Sequence, residues 1–389
     1  MNKTATGLTF LSGGSALNPL ATALANAGLH TTHIISAFDN GGCSRCLRNA
    51  FNCIAIGDLR NRLCAVGGHG PSPNSHLVVE LFRKRLPDSR PQAILRDIVL
   101  AIANGTSDLL AGIPGNLQHD IIKAITAFLE KVPMNFDWSH GSIGNYLLIG
   151  KFILSNDWPG TFAWASNILG IVGEVIPISI TNAHLGAELI NGRNVHGQQA
   201  LTDQQHPIES PVKVLRLYPT DRTTAGSIQA LPYPPALDAI CHASALVYSW
   251  GSFYTSILPA FLVKGISEAV LTREVPRILL LNPFRDAELI GMSPIDMVLK
   301  LNTYSQMNPD TEPTQFPNSA VTHIIALRPN AITKTTLYNK GSLDELARNG
   351  VEVDIIDCDG LPQVHQLKSV IKLLLKHAKK TLQDGGNIE

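Results

Sequence analysis

Short apolar runs alternate with amphipathic stretches along most of the chain, and nearly every apolar run ends in a polar loop. Leu8-Thr9-Phe10-Leu11 leads into Ser12-Gly13-Gly14-Ser15, and an alanine- and leucine-rich helix is expected from about Ala16 to Ala27. His33 to Ala37 reads as a second strand ending at Asp39-Asn40-Gly41-Gly42, with Gly57-Asp58-Leu59-Arg60-Asn61 soon after. Helical spacing recurs over Leu77 to Leu86, Ala93 to Ala103 and Asp120 to Lys131. Ser139 to Asn145 reads as a turn that opens a helix over Tyr146 to Leu154, and a further helix is expected over Phe162 to Ile171.

The middle of the chain changes character. Ile176 to Ile180, Ala187 to Ile190 and Val212 to Leu217 read as strands, and Asn191-Gly192 is a two-residue hairpin signal. Asp203 to Pro235 is rich in proline and polar residues and reads as a surface excursion or cap. A helix at Pro235 to His242 then leads to the strand Ala245 to Tyr248, which ends in Ser249-Trp250-Gly251-Ser252. Arg277 to Leu281, Val321 to Leu327 and Val353 to Ile356 complete the strands. This alternation predicts an α/β fold: a doubly wound, mostly parallel, Rossmann-like sheet with an inserted α/β cap region. It is expected as a single domain over residues 1–389, with its core at 1–175 and 235–360 and a strand-rich excursion at about 176–234.

Composition narrows the class. Lys plus Arg equals Asp plus Glu at 31 each, so no overall field favours nucleic acid or an anionic membrane. The richest apolar segment, Tyr146 to Leu154, is broken by Lys151, well short of the roughly 18 apolar residues that a membrane span needs. Without a visible targeting segment, a cytoplasmic location is expected. Four of the six cysteines (Cys43, Cys46, Cys53 and Cys64) cluster, but the second pair lacks zinc-knuckle spacing, so packed reduced thiols are expected rather than zinc.

Ligands in open α/β sheets sit where strand ends, helix starts and loop amides converge, which makes the polar loops the candidate site. Small residues at Gly13, Gly14 and Ser15 let a ligand approach backbone amides, or simply make a turn. Asp39 and Asn40 offer a carboxylate and an amide suited to Mg2+ or a ribose. Asp58, Arg60 and Asn61 gather an acid, a phosphate-matching guanidinium and an amide, against the competing reading of a solvated turn. Gly251, Ser252 and Thr255 would supply donors to a phosphate, unless the hydroxyls only cap a helix.

In their order these loops resemble the CofD/YvcK superfamily over nearly the whole chain. The matching runs are Gly13-Gly14-Ser15, Asp39-Asn40-Gly41-Gly42-Cys43-Ser44, Gly57-Asp58-Leu59-Arg60-Asn61 and His140-Gly141-Ser142-Ile143-Gly144-Asn145. They continue with Gly173-Glu174-Val175-Ile176-Pro177, Trp250 to Pro259, and Asn282 with Glu288 and Gly291. Asn40 stands where the family has a second aspartate, Ser249-Trp250 replaces Gly-Pro, and Cys46 falls where an arginine is usual. His140 also lies one residue further from its glycine-asparagine pair.

The resemblance implies a magnesium-dependent transferase that uses a nucleotide-activated phosphoryl donor, of the 2-phospho-L-lactate transferase type. Asp39, Asp58 and Arg60 would then be catalytic, and Asp39 and Asn40 would hold Mg2+. Gly13, Gly14, Ser15, Asn40, Asn61, Asn145, Gly251, Ser252, Thr255 and Asn282 would bind the nucleotide. The acceptor would be a small molecule, and a homo-oligomer is left open. The alternative from the same superfamily is a non-catalytic, YvcK-like factor that binds a nucleotide sugar and regulates central carbon metabolism or cell shape.

Overall fold

A sheet covered by helices on both faces needs apolar side chains on both, and the strands supply them in strict alternation. A computed structural model describes residues 5–70, 74–203, 207–220, 226–282, 286, 288–306, 319–329, 338, 340–358 and 362–384. Among these the strands are β1 (Ala5–Ser12), β2 (His30–Ile35), β3 (Glu174–Pro177), β4 (Ala183–Leu189) and β5 (Asn194–His196). They continue with β6 (Val212–Pro219), β7 (Ala245–Tyr248), β8 (Arg277–Leu281), β9 (His323–Pro329) and β10 (Glu352–Cys358). Seven form a parallel sheet in the order β10-β9-β8-β7-β1-β2-β3. Leu8, Phe10, Val247, Ile278 and Leu280 face one side, while Leu11, Leu246, Tyr248, Leu279 and Leu281 face the other.

The early helices are α1 (Asn18–Asn26), α2 (Gly42–Phe51), α3 (Gly57–Val66), α4 (Ser75–Arg83), α5 (Gln92–Ala103), α6 (Gly115–Lys131), α7 (Ile143–Ser155) and α8 (Trp158–Ile168). The later ones are α9 (Gln198–Thr202), α10 (Pro234–Cys241), α11 (Ile266–Leu271), α12 (Pro294–Ser305), α13 (Lys340–Arg348) and α14 (Val364–Asp384). Helices α1 and α14 cover the Phe10 face, and α2 to α8 build a separate helical layer between β2 and β3. The centre of that layer is α7, whose residues from Ile143 to Gly150 are all buried.

Several expected elements differ from those observed. Gly57 to Arg62 is not a solvated turn but the start of α3, with Gly57, Leu59, Arg60 and Arg62 buried. The helix expected from Tyr146 starts at Ile143, because burial of the whole Ile143–Gly150 stretch outweighs the turn-like glycines. After Ser252 the chain makes a π-helical turn at Phe253–Ile257 and a 3-10 turn at Leu258–Leu262 instead of a regular helix. Pro259, which lacks an amide hydrogen, sits at that junction.

The excursion after β3 forms a small antiparallel sheet, β5-β4-β6, with the hairpin at Asn191-Gly192. It is more than a surface cap. Val212, Leu215 and Leu217 join the core layer of Leu246 and Leu279, and the Leu215 amide donates to the Tyr304 hydroxyl of α12 at 2.7 Å.

Helices α6 and α7 cross closely, since a Cβ on Gly150 would run into the Ala124 carbonyl. Gly150→Ala is therefore expected to cost about 1–3 kcal/mol through overpacking, read as a lower melting temperature. An unchanged melting temperature would contradict so close a crossing.

Candidate functional site

From β1 the chain winds outward to β2 and β3, and β7 is laid down later on the opposite side of β1. The carboxyl ends of β1 and β7 therefore flank the point where the winding reverses, the usual ligand crevice of such sheets. Ser12–Ser15 follows β1, Asp39–Gly42 follows β2 and Trp250–Ser256 follows β7. The helices that start near this edge, α1, α2 and α3, begin at Leu17, Gly41 and Ile56 without a side-chain cap. The first amides of α2 and α3 lack intrahelical partners and carry the positive end of the helix dipole, whereas in α1 the Asn18 amide donates to the Ser15 carbonyl and Pro19 has no amide hydrogen.

Two carboxylates meet here. The Gly14 amide, at φ +57°, donates to Oδ2 of Asp58 at 2.7 Å, tying the β1–α1 turn to the first turn of α3. Oδ1 of Asp39 accepts the Gly41 amide at 2.9 Å. A Cβ on Gly57 would lie 3.4 Å from Oδ2 of Asp39 and 2.5 Å from the Ser44 hydroxyl, so only glycine lets α3 start this close. Burial, and then the neighbouring Asp39 carboxylate, push the Asp58 carboxyl up to about 7, against the opposing pull of the Gly14 amide, Arg62 and Arg60.

The other expected site residues divide between this edge and the interior. A Cβ on Gly13 would meet the Ser256 hydroxyl at 2.8 Å, which fastens the glycine turn against the β7 loop, and Ser15 is exposed beside it. Gly251 adopts φ +124°, open to glycine alone. Thr255 is buried beside the Glu288 carboxyl, which its hydroxyl and amide help to hold ionised. Asn61 is half-buried on α3, and Asn282 is half-buried at the end of β8.

Four of them are engaged elsewhere. Arg60 turns inward, its Nε donating to Oδ1 of the buried Asn145 at 3.3 Å, so both side chains brace α3 against α7. Oδ1 of Asn40, expected as a metal ligand, accepts the Gln199 amide of α9 at 2.9 Å and thereby anchors the antiparallel unit. Ser252 donates to Asp286 at 2.8 Å. The indole of Trp250 turns inward from the loop after β7: it is 3% exposed and packs with Leu17, Leu20 and Leu24 beneath α1.

With this geometry in place, the comparisons with known proteins are decisive for the family. A sequence profile described as 2-phospho-L-lactate transferase CofD matches residues 8–361. The chain belongs to the CofD family. Among curated relatives, a gluconeogenesis factor of Bacillus subtilis is 26% identical over 293 residues, covering 75% of this chain and 73% of that protein. A putative gluconeogenesis factor of a Nostoc species is 26% identical over 274 residues, covering 70% of this chain. The chain spans only 46% of the length of that Nostoc protein and 65% of a Listeria monocytogenes gluconeogenesis factor. A solved structure of a upf0052 family member from Bacillus halodurans superposes with a TM-score of 0.66 at 21% identity, covering 96% of this chain and 99% of that one. The functional class is accordingly CofD/YvcK-like.

Sequence reasoning on this CofD-family chain missed Arg48, and it read Arg62 as a phosphate-matching guanidinium rather than as a buried cation. Buried Arg48 donates from Nη1 to the Asp39 carbonyl at 2.9 Å, and from Nη2 to Oδ1 of Asn182 at 2.8 Å and to the Ala183 carbonyl at 2.5 Å. Arg62 is fully buried behind Asp58, with Nη1 3.5 Å from Nδ1 of His33, and its burial lowers it to about 10. The only sequence signal for Arg48 is an arginine at an apolar helical position. Cys43, Cys53 and Cys64 pack in the helical layer, and burial raises each thiol, Cys53 to about 12.

Glu288 belongs to the family's last loop, and its Oε1 accepts the Tyr254 amide at 2.7 Å. Burial, then Asp286, push this carboxyl up to about 8. Between about pH 4.3, where an unfolded glutamate ionises, and about 8, the folded chain holds the extra proton, so stability falls as pH rises through that window. Glu288→Gln keeps the acceptor for Tyr254 without the charge. It is expected to raise the melting temperature above wild type at pH 8.5, with the difference vanishing near pH 4.5. An equal difference at both pH values would contradict a buried, proton-holding carboxyl.

Proposed function

We propose that the chain binds a nucleotide-activated phosphoryl compound with Mg2+ at the Asp39–Asp58 edge and acts as a transferase of the 2-phospho-L-lactate transferase type. The observation that carries this reading is the carboxylate pair itself. Asp58, buried beside Asp39, is raised to about 7 at the uncapped starts of α2 and α3. A divalent cation relieves the cost of ionising both groups, and the free amides complement phosphate.

The donor set fits the metal, because two carboxylates offer the all-oxygen ligation that Mg2+ prefers over softer sites. Asp39 and Asp58 would hold the ion, which when bound supplies charge neutralisation to phosphoryl oxygens. The chain's own residues position the ligand. Gly13 and Gly14 let it approach the backbone, while Arg48 fixes the Asp39 carbonyl and Arg62 stands behind Asp58 as a buried cation. A cytoplasmic role with a small-molecule acceptor, and no nucleic acid or membrane partner, accords with the balanced charge. Among the described residues no helix is long and apolar enough to cross a membrane.

A second reading, a nucleotide-sugar-binding regulator without turnover, is favoured by a different observation. The Asn40 oxygen is committed to Gln199, so the second ligand position of the Asp39 loop serves to dock the antiparallel unit. The curated relatives reported above carry the name gluconeogenesis factor.

Incubating the full chain with Mg2+, a panel of nucleotides and nucleotide sugars, and small hydroxy-acid acceptors separates the two. Release of nucleoside monophosphate, followed by phosphorus NMR, is expected on the first reading, and Asp39→Asn should reduce it on the order of 10²–10³-fold. Magnesium-dependent binding should weaken as pH falls below about 7, where Asp58 takes up a proton, and Asp58→Asn should flatten that profile. Binding without turnover would replace the transferase with the regulator, and binding indifferent to Asp39 and Asp58 would remove the site assignment.

A further inference from the structure

At the opposite edge of the sheet, three metal-ligating side chains converge from three separate elements. His323 opens β9, Glu352 opens β10 directly opposite it in the parallel register, and His377 lies on α14. One ring nitrogen of each histidine and one Glu352 oxygen all lie within 4.8 Å of one another, and this is the cluster of its kind among the described residues. Nε2 of His323 is 3.1 Å from Oε2 of Glu352, and the two imidazole centroids are 4.4 Å apart. Each ring also has an orienting neighbour: Oγ1 of Thr322 lies 2.7 Å from Nδ1 of His323, and Oδ2 of Asp354 lies 2.9 Å from Nε2 of His377. Such outer hydrogen bonds fix the tautomer and direction of ligating histidines.

We propose that His323, Glu352 and His377 form a binding site for a divalent transition metal of the Zn2+ class, which fastens α14 to the edge of the sheet. Two imidazoles and one carboxylate are the ligand set of zinc sites that keep a fourth position for water, whereas Mg2+ takes oxygen ligands. The burial is graded to match. His377 is 2% exposed, His323 15% and Glu352 49%, so the protein encloses the ligands on one side and leaves an entry path on the other.

The structural consequence falls on an exposed flank. β10 is the edge strand of the parallel sheet, and α14 packs against β10, β7, β1 and α1. A metal bound by all three elements would cross-link the last helix to β9 and β10, at the amino-terminal edge of the sheet, away from the Asp39–Asp58 edge.

The test uses the full chain, stripped with a chelator and titrated with ZnCl2 at pH 7.5 by calorimetry, with zinc then counted after desalting. One zinc per chain is expected, persisting in millimolar Mg2+, with a higher melting temperature in its presence. Co2+ in place of zinc should give visible ligand-field bands without thiolate charge-transfer absorption. Glu352→Gln, at a half-exposed position, should weaken zinc binding by more than 100-fold while leaving circular dichroism unchanged, and Thr322→Val should weaken it about 10–100-fold. Absence of stoichiometric zinc would overturn the proposal, as would its retention in both Glu352→Gln and His323→Gln. Thiolate bands would move the metal to the Cys43–Cys64 group and equally overturn it.

Discussion

The hydrogen bond from the Gly14 amide to the Asp58 carboxylate sets the geometry on which the candidate site depends. It joins the turn after β1 to the start of α3, two segments 44 residues apart in sequence, and so draws two helix starts together. Asp39, held by the Gly41 amide, then stands beside Asp58 because Gly57 presents no side chain between them. Burial first, and then the pairing with Asp39, carry an electrostatic cost, visible in the raised Asp58 carboxyl. Folding accepts that cost at one point of the sheet, where free amides and a switch of winding direction coincide.

A second set of interactions keeps the edge in shape from behind. Arg48 spends its guanidinium on the Asp39 carbonyl, Asn182 and Ala183, so the loop after β2 is fixed to the lead-in of β4. Asn40 docks on the Gln199 amide, and Gly197 leaves the space its side chain occupies. The small antiparallel sheet is thereby bound to the carboxylate loop on one side and to α12, through Tyr304, on the other. The loop that carries Asp39 and the small antiparallel sheet are one mechanical unit.

Much of this was legible from residues alone. The strands at Ala245–Tyr248 and Arg277–Leu281 coincide with their apolar runs, because a strand buried on both faces reads as continuous hydrophobicity bounded by polar loops. The turn at Asn191-Gly192 was legible in place but not in type: only Gly192 takes a positive φ, +85°, and Leu189 pairs with Arg193, so the hairpin closes over three residues rather than two. What escaped depended on direction. Arg60 lies in a motif that suggests phosphate contact, yet its helical position points it at Asn145 in α7. Trp250 lies in the loop after β7, yet its indole fills the layer under α1, because neighbouring loop residues can point to opposite faces. The helix start at Gly57, the buried ligation of Arg48 and the His323–Glu352–His377 group all depend on pairings between distant segments, which no local spacing encodes.

The central claim is that Asp39 and Asp58 jointly hold a divalent cation against phosphate at the carboxyl edge of β1 and β2. Crystals of the full chain grown with Mn2+ and a nucleoside diphosphate test it through anomalous scattering. The account predicts a manganese peak between the two carboxylates, with the diphosphate against the Gly13–Ser15 turn. A nucleotide bound at another edge of the sheet, or one bound here with no metal peak between Asp39 and Asp58, would contradict it.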